Sequence, residues 1–167
     1  MTTPKEISLK YAERDHLLGL HDVCLELFGG LPGVREEGAL QNAMNRGFNT
    51  LAYEPDSDVF KVVGRVGYAL SRNHPFSDGN KRTSLAFILV QLQENGYLFD
   101  KKEEDLEKFA LDIASGSISE EQMIDTLRKN SIPLETSQSK SQGNKFTSAL
   151  FKAIKAVGRS LIIAIFG

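Results

Sequence analysis

A chain of 167 residues that is 41% apolar and 25% charged has the make-up of one soluble globular domain with room for an appendage. The net charge of -2 is unevenly spread: residues 133–167 carry +4 and residues 1–132 carry -6, which argues against general nucleic-acid binding by the larger part. Cys24 is the sole cysteine, which excludes an intrachain disulfide and fits a cytoplasmic protein. Residues 1–10 lack the apolar stretch and cleavage site of a secretory signal.

Period-2 alternation is weak and strands are scarce, so the elements are read as helices. From residue 14, Leu17, Leu20, Val23, Cys24, Leu27 and Phe28 recur at three- and four-residue spacing. This first helix should stop at Gly29-Gly30. His21 within it is read as a packed or surface side chain with no chemical role, and His16 likewise. Gly29-Gly30-Leu31-Pro32-Gly33 lacks the lysine and hydroxyl of a P-loop. It is read as a structural turn; bordering a site is the alternative. A second helix is predicted over 37–46, then a less regular stretch to Pro55. Asp56 or Ser57 should cap a third helix. Its stripe is Val59, Phe60, Val63, Val66, Gly67 and Leu70, and Gly64, Gly67 and Ala69 would admit a close neighbour. Pro75 halts it. A fourth helix, from about 79 to 94, is apolar nearly all round and should be the buried central one. Two shorter amphipathic helices follow, near 103–115 and 119–129, with Ser119 as a cap of the latter.

Between the third and fourth helices lies His74-Pro75-Phe76-Ser77-Asp78-Gly79-Asn80-Lys81-Arg82-Thr83. A histidine with an ordinary pKa near 6.5 is largely neutral at pH 7 and can take a proton from a hydroxyl. Asp78 could cap the helix or hold magnesium, which needs only one or two protein carboxylates when phosphates and water complete its shell. Gly79 allows a tight turn, and the N–H groups of Gly79, Asn80 and Lys81 would form an anion site at the helix start. Lys81 and Arg82 lie at the wrong end of the helix dipole, a conflict that a bound anion removes. A capped helix after a proline turn accounts for Pro75, Asp78 and Gly79. It leaves His74, Asn80, Lys81 and Arg82 unexplained.

This stretch resembles the motif of the Fic/Doc superfamily in its Doc form. Fic proteins proper usually have glycine where Lys81 stands. Leu20-His21-Asp22, the Gly29–Gly33 loop, residues 35–40 and Asn95-Gly96 extend the likeness over roughly residues 14–129. The resemblance implies a compact all-α helical bundle around the buried central helix. It implies the toxin of a type II toxin–antitoxin pair, a kinase transferring phosphate from ATP to a hydroxyl of elongation factor Tu and so blocking translation. Carried over by position, His74 is the general base and Asp78 the Mg²⁺ ligand. Gly79, Asn80, Lys81 and Arg82 hold the nucleotide phosphates, and Phe76 packs inward to fix the loop. Lysine at position 81 fills space that glycine leaves to a phosphate, which favours γ-phosphoryl transfer; AMP transfer on the same scaffold is the alternative. A non-catalytic binding or membrane-active protein is the alternative of another class. No intact Ser/Thr-x-x-x-Glu-Gly/Asn inhibitory segment is found: Val90 precedes Glu94-Asn95, and Gln122 follows Ser117 and Glu121. A separate antitoxin partner is therefore expected.

The chain thus divides into a catalytic domain at 1–132, a polar linker at 133–144 and a basic amphipathic C-terminal helix at 145–167. In that helix Phe146, Leu150, Phe151, Ile154, Val157, Leu161, Ile162 and Ile165 face away from Lys145, Lys152, Lys155 and Arg159. It could dock on the core, pair with a second copy, meet an acidic partner or lie on an anionic membrane surface. Its longest uncharged run, Ser160 to Gly167, is too short to span a bilayer, which takes about 20 apolar residues.

Overall fold

The computed structural model describes residues 6–134; the linker and C-terminal helix expected beyond them lie outside the described residues. The described chain is helical: α1 (Arg14–Phe28), α2 (Glu37–Tyr53), α3 (Val59–Asn73), α4 (Asn80–Glu94), α5 (Glu103–Ser115) and α6 (Glu120–Asn130), with a 3-10 turn at Lys10–Ala12. The expected all-α class is what forms. Its one addition is a two-stranded antiparallel ribbon, β1 (Tyr97–Phe99) with β2 (Ser131–Pro133), in which Leu98 faces Ile132. Among the described residues no helix is long and apolar enough to cross a membrane.

Helix α4 is the central element. Leu85, Ala86, Phe87, Ile88 and Leu92 are essentially shut off from solvent, as the all-round apolar pattern demands. Helix α3 packs against it closely because α3 is glycine-bearing on that side. A Cβ at Gly67 would overlap Ile88 of α4, and one at Gly64 would lie 2.6 Å from Ile124 Cγ1 of α6. Buried Ser84 of α4 donates to the Gly67 carbonyl (2.7 Å), tying the same crossing. The small residues on α3 are thus contact points, and enlarging them would overpack a close-packed core.

Two boundaries differ from the sequence reading. Helix α2 continues seven residues past the predicted end at Arg46, through Gly47, Asn49 and Thr50, to Tyr53. Those weak helix formers are overridden by tertiary contact: a Cβ at Gly47 would lie 2.7 Å from Val66 of α3, and Thr50 is buried with its hydroxyl on the Arg46 carbonyl. The cap of α3 is Asp58, which accepts from Lys61 N at 2.8 Å, in place of Asp56 or Ser57. Asp58 also takes Arg128 of α6 (2.7 Å), so a residue two positions later serves both the cap and the helix packing. Ser119 caps α6 as expected, with Gln122 completing a capping box.

Candidate active site

The motif occupies the junction between α3 and α4, and each residue there has a physical reason for its place. Helix α3 ends at Asn73; Pro75 disfavours the helical region for His74, which instead adopts a left-handed conformation (φ 47°, ψ 57°). Phe76 is fully buried and stacks on the His21 ring of α1, centroids 3.9 Å apart and planes 10° from parallel. That inward anchor turns the next residues outward. The side-chain amide of Asn80 reaches back to the same residue: Phe76 N donates to Asn80 Oδ1 (2.9 Å) and Asn80 Nδ2 donates to Phe76 O (3.0 Å). The side chain of Asn80 therefore braces the loop, and its backbone N–H lies at the N-terminal end of α4, where helix donors lack an intrahelical partner.

Asp78 is not the helix cap. Gly79 occupies that position in a left-handed conformation (φ 74°, ψ 15°), without a side-chain cap bond. The Asp78 carboxylate turns instead to the Gly29–Gly33 loop, where Oδ2 accepts from Leu31 N (3.2 Å), while Oδ1 accepts from Gly79 N (2.7 Å). A Cβ at Gly30 would stand 2.8 Å from Asp78 Oδ2. Glycine is required there by the close approach of the carboxylate, and the loop first read as a turn borders the site.

Arg82 is 2% exposed, yet makes no ion pair among the described residues. Its Nη1 donates to the Gly29 carbonyl (3.0 Å) and its guanidinium sits 5.9 Å from the centre of the Phe28 ring. A buried cation without a carboxylate partner is costly unless an anion approaches it. Arg82, Lys81 and Arg35 line one cleft of about 600 Å³ together with His74 and Asp78, so three cations face one carboxylate. The opposite wall is the C-terminal part of α5, with Leu111, Ala114 and Ser115. Every residue singled out in the motif for catalysis, phosphate or metal (His74, Asp78, Gly79, Asn80, Lys81, Arg82) lines this cleft. Arg35 was not foreseen; only its tertiary contact with the motif reveals it.

The imidazole of His74 titrates below its ordinary value, first through desolvation and then through the charges of Arg35, Arg72 and Lys81. It is thus neutral at pH 7, as a base must be. Among the described residues no group of three or more His, Cys, Asp or Glu side chains could cage a metal. A lone carboxylate beside an anion-binding cleft fits magnesium that arrives with phosphates and keeps water ligands, and does not fit an all-protein cage.

His21 is buried beneath the motif, which decides for packed over surface, with Nδ1 3.0 Å from Thr83 Oγ1 and Nε2 without a partner among the described residues. Burial, its largest influence, holds its pKa below the ordinary value. The unfolded chain, with histidine near 6.5, therefore binds the proton first as pH falls. The stability this neutral ring contributes is present above pH 6.5 and is lost as pH drops through the folded value. The slope is at most about 1.4 kcal/mol per pH unit for one such group. Urea unfolding between roughly pH 5 and 7 should show this loss, and His21→Gln should flatten the slope by up to about one proton. An unchanged slope would assign the acid sensitivity elsewhere.

A helix-flanked loop that brings a neutral histidine, a carboxylate and three cations to one cleft has the parts that a group-transfer site needs. The Fic/DOC family model matches residues 11–92. Taken with a 35% identical relative, this places the chain in the Fic/DOC family. That relative is the "Protein kinase doc" of Escherichia phage P1, aligned over 122 residues, which cover 72% of this chain and 95% of the phage protein.

Proposed function

We propose that this chain is the toxin of a toxin–antitoxin pair and a protein kinase that transfers the γ-phosphoryl group of ATP to a protein hydroxyl. The observation that carries the reading is the lone, buried Arg82 at the floor of a cleft that also holds Lys81, Asp78 and His74. An arginine held there by one carbonyl and an aromatic face is built to meet phosphate oxygens. The open N–H groups of Asn80 and Lys81 and the α4 dipole add to the same anion site. Asp78 would hold Mg²⁺, which when bound neutralises phosphate charge and orients the nucleotide. Neutral His74 takes the proton of the attacking hydroxyl as the new O–P bond forms. The bond between the γ-phosphorus and its bridging oxygen breaks, and ADP leaves. Positioning and charge neutralisation supply most of the acceleration in such a transfer. Lys81, in the place where glycine would leave room for another phosphate, supports γ- over α-phosphorus attack. The relative's name as a kinase points the same way. The proposed target is a translation factor, elongation factor Tu by family resemblance, and the proposed control is a separate antitoxin protein in the cytoplasm.

The test is incubation of the full chain with bacterial extract, Mg²⁺ and ATP labelled at either phosphorus. Label transferred to protein from the γ position is the expected result. Transfer only from the α position would make the chain an AMP transferase. No transfer from either, beside an active control kinase, would overturn both readings.

A further inference from the structure

His74 is the one non-glycine residue among the described residues with a positive φ. A residue with a Cβ is strained in that region, so its surroundings must hold it there. The segment at Gly33–Glu36 does so by lying alongside the motif. Ser77 N donates to Gly33 O (3.0 Å), Val34 pairs with Phe76, and Arg35 N and Glu36 N both donate to Pro75 O (2.8 and 3.0 Å). The backbone pairing stops at Pro75. The Arg35 side chain carries it one residue further, with Nη2 donating to the His74 carbonyl at 3.0 Å.

We propose that Arg35 is a positioning residue, fixing the left-handed His74 backbone so that the imidazole is aimed into the cleft. This rests on the reading of His74 as the base. Three observations join in it. Arg35 grips the strained residue itself, it lines the same cleft as the imidazole, and it makes no ion pair among the described residues that would draw it away. A cation at this point also suits the carbonyl-rich C-terminal end of α3. The charges facing the imidazole are Arg35 from the loop, Arg72 from α3 and Lys81 from α4, while α5 presents uncharged Leu111, Ala114 and Ser115 to the cleft. Arg72 is occupied on the Ala114 carbonyl (2.7 Å), which joins α3 to α5. Arg35 is therefore the group whose loss both frees the His74 backbone and removes a charge beside the ring.

The test uses the full chain with Arg35→Gln and Arg35→Lys. Two readouts are taken: NMR titration of the His74 imidazole with its backbone ¹³Cα shift, and steady-state transfer from ATP. In Arg35→Gln the His74 midpoint should move up, the ¹³Cα shift should leave its left-handed value, and kcat should fall about tenfold or more. KM for ATP should stay within about twofold, since the nucleotide cations remain. Arg35→Lys keeps the charge and a donor; it should return the midpoint toward that of the unaltered protein and recover part of kcat. If Arg35→Gln leaves the midpoint, the ¹³Cα shift and kcat unaltered, the proposal is overturned. It is also overturned if KM for ATP rises while kcat holds, which would make Arg35 a nucleotide contact. Should Arg35→Gln not fold, Arg35→Lys is read alone: a joint, partial fall of kcat and departure of the ¹³Cα shift supports the clamp, and both unaltered overturn it. The NMR arms do not depend on transfer: their success with an inactive unaltered protein would sink the kinase reading and leave the clamp standing.

Discussion

Replacing His74 with asparagine or alanine is expected to lower phosphoryl transfer by about 10²–10⁴-fold, the usual contribution of a general base, and to abolish growth arrest on expression. The fold should survive, because His74 is exposed and the core beneath it is carried by Phe76 and His21. Asparagine is the cleaner variant, since it tolerates the left-handed backbone that alanine resists. Circular dichroism and thermal unfolding check the fold; transfer of label checks the chemistry. The pH profile offers a second view. Because the imidazole titrates below 6.5, the acidic limb of kcat/KM should lie below that value. Full transfer by the asparagine variant would remove His74 from the mechanism.

Arg82→Met is expected to separate stability from function. Arginine at this site carries the cost of a buried charge with a single carbonyl bond and an aromatic neighbour. A methionine of similar length removes that cost, so the nucleotide-free protein should be as stable as before or gain about 1 kcal/mol or more. The stabilisation conferred by Mg²⁺ and ATP, about 2.7 kcal/mol at a hundredfold excess over Kd, should largely vanish. Thermal unfolding with and without nucleotide reads both effects. A full ligand-induced shift in the variant would deny Arg82 its role in anion binding, and a large loss of stability without nucleotide would make it a structural residue. The trade between the two is what a ligand-dependent buried cation predicts.

Much of the fold was legible because its signals are local. The Gly29-Gly30 stop of α1, the apolar surround of α4 and the Ser119 cap each lie within one stretch of sequence, whereas of the α1 stripe Leu17, Leu20 and Cys24 are buried and Val23 and Leu27 stay exposed. The end of α2 was not legible, because Gly47, Asn49 and Thr50 look like breakers until α3 is packed beside them. The candidate motif was legible for the same local reason: histidine, carboxylate and cations fall within ten consecutive residues. What escaped were its supports. Of the two readings of Asp78, cap and magnesium ligand, the cap is excluded, and its bond to the Gly29–Gly33 loop was not foreseen; nor was the bracing of Phe76 by the Asn80 side chain. Arg35 and Gly30 reach the motif across 39 and 48 positions of chain, and such distances leave no periodic or compositional trace. His21 was left as packed or surface, and its burial and stacking on Phe76 required the tertiary structure.

The Gly29–Glu36 loop carries one more implication, for the order in which this protein comes apart. Its bonds to Arg82, Asp78, Pro75 and His74 span 39 to 53 residues, so each closes a long stretch of chain at an entropic cost that local helix formation does not meet. They are few and partly exposed, and of the loop's larger apolar side chains Val34 packs on the core while Leu31 stays exposed, whereas the α3–α4–α6 crossing is sealed by buried side chains. Opening of this loop is therefore a sub-global event that lies below global unfolding on the free-energy scale. Under thermal or chemical stress the loop's bonds to the candidate site are expected to open while the helical body still stands.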